Sequence, residues 1–147
     1  MIQRIQSIYL FLASIASFAV FKLPFASSVQ SETSSSLFND GIYSVFDNMA
    51  LLAIFALIGL LAITTLFFYK NRKLQSNLSL LGSLLSLIAF SLMAIFFAGD
   101  SWALSNWQTL QDQFGLGMPV FAAVFYLLAR YNIQKDNKKV QSMDRLR

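Results

Sequence analysis

Histidine and cysteine are both absent from the 147 residues. Thiolate and imidazole metal sites, thiol nucleophiles, the usual haem ligand and the side chain best suited to proton transfer near neutral pH are therefore excluded. What remains for chemistry is seven Asp and Glu, eleven Lys and Arg, and the hydroxyls of Ser, Thr and Tyr. No two carboxylates stand at a spacing that would pair them for acid–base work. Gly115-Leu116-Gly117 lacks the rest of a dinucleotide loop, and no nucleophile has a base close to it in sequence. An enzyme built from this chain would have to use the carboxylates Asp47, Asp100 or Asp112. The expectation is instead a protein that is not an enzyme, without catalytic, cofactor-binding or metal-ligating residues and without cofactor or metal.

Three other groups of residues have types and spacings that suit contact rather than catalysis. Ser76, Ser79, Ser83 and Ser86 recur at steps of 3, 4 and 3 with Gly82 beside them, which places small residues along one face of a helix. In a membrane such a face lets another backbone approach closely, and this is the candidate helix-packing seam. A substrate path along the same serines is the sharper alternative, opposed by the habit of serine in membrane helices of bonding its own backbone. Lys138, Lys139, Arg145 and Arg147 lie in a basic tail and are candidates for contact with anionic lipid or a partner, each worth on the order of 1 kcal/mol at an anionic leaflet. Lys22 and Asp47 form a candidate latch between the first two apolar runs, the plainer reading being that Asp47 or Asn48 caps the second of them.

The elements that must position these groups follow from hydropathy. The chain is 56% hydrophobic, 15% aromatic and only 12% charged, too little polar surface to cover a water-soluble globule of this size. Runs 49–69 and 78–98 each hold 21 residues without a charge, which as helix would be roughly 31 Å, the thickness of a bilayer's hydrocarbon core. The turn between them carries Lys70, Arg72 and Lys73 and no acid, so it is expected on the cytoplasmic face. With that assignment ten of the eleven Lys and Arg fall inside and only Lys22 outside, and both termini are expected to be cytoplasmic. The expected fold is an all-α integral membrane protein, a four-transmembrane-helix antiparallel bundle with two extracytoplasmic loops. Its single domain covers 1–147, with spans near 5–25, 47–69, 77–98 and 116–133 and a basic cytoplasmic tail over 134–147.

The first run is broken by Pro24 and reads as an uncleaved span. A secretory signal with Ala26-Ser27-Ser28 as cleavage site is the competing reading. In the Ser-rich loop 26–46, Asn39-Asp40-Gly41 between Leu37-Phe38 and Ile42-Tyr43 favours a tight hairpin, with an ordered turn lacking strand pairing as the alternative. In the loop 99–117, Leu104, Trp107, Leu110, Gln111 and Phe114 would share one mostly apolar face of a short interfacial helix. Trp102 and Trp107 would then lie at headgroup depth, the alternative being a packed loop. Pro119 is expected near the first turn of the last span, where its missing amide is tolerated.

The opening Met1-Ile2-Gln3-Arg4-Ile5-Gln6, the segment Asn71-Arg72-Lys73-Leu74 and the ending Asp144-Arg145-Leu146-Arg147 carry a resemblance over essentially the whole chain. The chain resembles a family of small four-span membrane proteins of unknown function from Bacteroidota. The resemblance implies a bacterial cytoplasmic (inner) membrane protein, and it implies no reaction, ligand or catalytic residue.

No charged residue falls in the middle of any run, which weighs against proton relays and ion-coupled transport. A basic tail without interleaved aromatics weighs against nucleic acid. The expected function is a non-enzymatic accessory or assembly subunit that binds a membrane protein partner, or a second copy of itself, in contact with membrane lipids. A lipid or small apolar molecule binding or transport protein is the alternative.

Overall fold

The computed structural model describes residues 3–28, 42–101, 110–111 and 114–144. Its elements in chain order are α1 (Gln3–Ala19), β1 (Ala26–Ser28), β2 (Ile42–Tyr43), a 3-10 turn (Val45–Asp47), α2 (Met49–Phe67), a 3-10 turn (Phe68–Lys70), α3 (Arg72–Ser101), β3 (Leu110–Gln111) and α4 (Phe114–Asp144). Three stretches are long and apolar enough to cross a membrane, Met49–Lys70, Arg72–Gly99 and Gly115–Ser142, while the apolar part of the first helix, Ile5–Ala19, is shorter. Each helix packs on two others: α1 lies against α2 and α4, and α3 lies against α2 and α4.

Local chemistry sets the boundaries. The Asn48 side chain accepts from the Ala50 amide at 2.9 Å and caps α2, and the Asn71 side chain accepts from the Leu74 amide at 3.2 Å at the start of α3. Each satisfies one of the orphan donors of a helix N-terminus. The first helix stops at Ala19, short of the expected 25. Phe21 and Lys22 turn back onto the Phe18 and Ala19 carbonyls at 3.1 and 3.0 Å, and Pro24 disfavours helical backbone at Leu23. At the other extreme α4 runs on through the polar tail to Asp144, because Lys, Gln and Met remain good helix formers after the apolar stretch ends. Since α4 begins at Phe114, Pro119 lies in the second turn rather than the first and offers no amide to the Gly115 carbonyl.

The strands form a small three-stranded sheet in the order β2-β1-β3. Both pairings are antiparallel, Ala26 opposite Tyr43 and Ser27 opposite Gln111. Two sequence expectations meet the sheet, of which the helix over Leu110-Gln111 is corrected. Ile42-Tyr43 does form a strand, but it pairs with Ala26 and Ser27; its expected partner, Leu37-Phe38, lies outside the described residues, as does Asn39-Asp40-Gly41. Leu110-Gln111 is a strand and not part of an interfacial helix, since its backbone pairs with Ser27 and Ser28. Trp102 and Trp107 lie outside the described residues.

The sheet closes one end of the helix group, the strand end, and the α2–α3 turn marks the opposite, hairpin end. Phe25, Tyr43 and Val45 are fully buried at the strand end. The Phe25 ring meets Tyr43 edge-on at 5.1 Å and lies 6.0 Å from Phe55 of α2, while Tyr43 stacks on Phe97 of α3 at 6.1 Å. The core then continues toward the hairpin end through Leu51, Ile58, Ala62, Ala89, Met93, Tyr126 and Ala129.

Candidate functional site

The serine face of α3 is an internal surface of this chain. Ser79, Ser83 and Ser86 are at most 2% exposed. Their hydroxyls donate at 2.8 Å to the carbonyls of Gln75, Leu80 and Gly82 on their own helix. Those hydroxyls are thereby satisfied within α3, and the face they line is free of side-chain bulk. Across it lies Tyr126 of α4: a Cβ at Gly82 would stand 2.4 Å from its ring, so only glycine admits the ring here. The Tyr126 hydroxyl passes beyond α3 and donates to the Ile58 carbonyl of α2 at 2.7 Å, which gives the buried phenol the partner it requires. One side chain thus joins three helices. At the strand end the same device recurs, with the Tyr43 hydroxyl donating to the Met93 carbonyl at 3.3 Å.

The Asp47 carboxylate accepts from the Ser44 amide, and the Ser44 side chain accepts from the Phe46 amide, a capping box for the 3-10 turn. Asn48 caps α2. The hydrogen bond of Asp47 is therefore with its own turn, and Lys22 stands exposed, so the latch is not what the carboxylate is engaged in. Lys138 and Lys139 are exposed on α4, while Arg145 and Arg147 lie outside the described residues. Asp112 also lies outside them. Among the described residues no group of three or more His, Cys, Asp or Glu could hold a metal ion.

Sequence reasoning missed the polar contacts nearer the hairpin end. Gln6 of α1 and Asp136 of α4, 130 residues apart, are 4% and 7% exposed, and the Gln6 amide donates to the Asp136 carboxylate. Gln75, at the start of α3, is likewise buried and donates to the Thr65 carbonyl of α2 at 3.3 Å. The signal was present in the spacing. Gln6 precedes Leu10, Ala13 and Ser17 at steps of 4, 3 and 4, all buried, and Asp136 follows Tyr126, Ala129 and Ile133 at steps of 3, 4 and 3, also all buried. Each polar residue therefore continues an inward face. The contact fixes the start of α1 against α4. The Arg130 Nε, also on α4, is buried without a hydrogen-bond partner.

No curated protein and no solved structure matches this chain at a significant level. A family model does: its description is "Domain of unknown function (DUF4293)", it matches residues 2–146, and the chain belongs to that family.

Proposed function

We propose that the chain is a multi-pass protein of the bacterial cytoplasmic (inner) membrane, with four spans and both termini cytoplasmic. It serves as a non-enzymatic accessory or assembly subunit that binds a membrane partner protein or a second copy of itself. Four spans are supported by the length over which the first segment follows α4. Gln6 bonds Asp136 near one end, and the Pro24 carbonyl accepts from the Gly115 amide at 3.1 Å at the other. The α4 segment between those two points, 115–136, is roughly 32 Å long, enough for the hydrocarbon core. The inside assignment rests on the bias of Lys and Arg toward the hairpin end.

The observation that carries the functional reading is where contact material is left over. The small-residue face of α3 is consumed within the chain, whereas Lys135, Lys138 and Lys139 are exposed on the polar continuation of α4. Partner contact is thus directed to the tail and not to the serine seam. The test compares wild type with K138Q/K139Q/R145Q/R147Q for material recovered from gently solubilised membranes. The variant should keep its thermal stability and lose the associated partner. Lost stability with unchanged association would overturn the reading. Topology is checked separately by single cysteines at positions 34 and 142. An impermeant reagent added to intact cells should label 34 and spare 142, and the reverse would invert the orientation.

A further inference from the structure

One face of α4 is shaped along its length like half a phospholipid. Val120, Val124, Leu127 and Tyr131 recur at steps of 4, 3 and 4 and are 39%, 44%, 46% and 63% exposed, so the described helices leave this face open. The same stripe continues at Gln134, Lys135 and Lys138, which with Tyr131 line a groove of about 160 Å³. From Val120 to Tyr131 the helix rises roughly 16 Å, close to the about 15 Å of hydrocarbon in one leaflet. The apolar part of the stripe is thus about one leaflet long, a tyrosine ends it, and two ammonium groups follow within the next two turns. The one acid in this part of the helix, Asp136, is turned inward to Gln6 and does not neutralise them.

We infer that this stripe and groove seat one anionic phospholipid. The acyl chain lies along Val120, Val124 and Leu127, and the phosphate is held by Lys135 and Lys138 with the Tyr131 hydroxyl and the Gln134 amide as further donors. Charge complementarity selects an anionic over a zwitterionic headgroup. The apolar track selects a lipid over free phosphate. The inference rests on the membrane reading above, in which α4 crosses a bilayer with its polar continuation at one surface.

The test uses the full chain in nanodiscs of phosphatidylcholine containing a fifth of phosphatidylglycerol, with bound lipid counted by native mass spectrometry on release. Wild type should retain one phosphatidylglycerol in preference to phosphatidylcholine. K135Q/K138Q should lower that retention roughly tenfold, and K135R/K138R should restore it. K70Q/K73Q, which removes the same charge from the α2–α3 turn, should leave it unchanged. Equal losses in K135Q/K138Q and K70Q/K73Q would show diffuse attraction without a site and overturn the inference. So would displacement by glycerol phosphate at the same concentration, which would show a free-phosphate site, or a second copy of the chain on this face in place of lipid. Extraction of the wild-type chain from membranes by carbonate would defeat the membrane reading itself. A chain that resists carbonate yet shows no headgroup preference would defeat only the lipid site.

Discussion

At the strand end, closure comes from backbone and ring: three short strands satisfy one another's amides, and Phe25 and Tyr43 fill the space between α2 and α3. At the hairpin end it comes from individual polar side chains, Gln6 on Asp136 and Gln75 on the Thr65 carbonyl. The difference follows from what each end must solve. Non-helical backbone next to an apolar core is tolerated only when its polar groups are paired and buried within protein, and the sheet does this at the strand end. Helices that run past one another need no such repair, so at the hairpin end a few directional contacts suffice to set register. The strand end should accordingly be sensitive to volume, and the hairpin end to the identity of single polar atoms.

Substitutions separate these two regimes. Phe25→Ala removes a fully buried ring that touches both Tyr43 and Phe55. It should cost about 3–5 kcal/mol in detergent unfolding, the largest effect of the set; a loss under about 1 kcal/mol would mean that the strand end is not packed as described. Gly115→Ala should follow at about 2–3 kcal/mol, because a Cβ there would stand 2.3 Å from the Pro24 carbonyl oxygen, a backbone atom with little freedom to move. Ser83→Leu, placed between the two ends on the seam, should cost a comparable ~1–3 kcal/mol by forcing α3 and α4 apart. The exposed Leu84→Ala is its control and should be milder.

At the hairpin end, Gln6→Leu should cost ~1–3 kcal/mol by leaving the Asp136 carboxylate buried without its donor. The double variant Gln6→Leu/Asp136→Leu should recover most of that loss, since replacing both partners by apolar groups is far less costly than removing one. Additive losses in that cycle would show that the pair is not a coupled contact. The smallest effect is expected for Lys138→Gln with Lys139→Gln, both exposed, within about 0.5 kcal/mol of wild type.

Long uncharged runs made α2 and α3 legible from the sequence, because period-free apolarity over 21 residues admits few alternatives. Their ends were less so. The apolar run counts what can sit in hydrocarbon, whereas the helix continues as long as its backbone amides find carbonyls. Hence α3 begins at Arg72, ahead of the span expected from 77, and α4 runs to Asp144, past the span expected to end at 133. The early stop of α1 was signalled by Pro24, yet its location at Ala19 depends on Phe21 and Lys22 turning back onto the helix. The serine stripe was legible from spacing alone. Its cover was not, because nothing local announces that Tyr126, 44 positions beyond Gly82, will lie across it. The pairing of β1 with β3 was hidden for the same reason: two-residue strands carry no periodicity, and their partner is chosen by where the helices bring the loops.

The placement of β1 in the middle of the sheet also has a bearing on the order of events during synthesis. Ala26–Ser28 emerges early and is the strand to which both others pair, yet its second neighbour, Leu110–Gln111, is translated more than eighty residues later. The first helix waits equally long, since its amide at Gln6 and the Pro24 carbonyl are both answered from α4. The α2–α3 hairpin can therefore associate as soon as it is made, whereas the pieces that precede it must be kept apart from unsuitable contacts until the last helix arrives. Contacts of such long sequence separation form late. A chain released after Ser101 would leave the middle strand half paired and one face of α1 uncovered, so the nascent protein passes through an interval in which the segment made before the α2–α3 hairpin is its least protected.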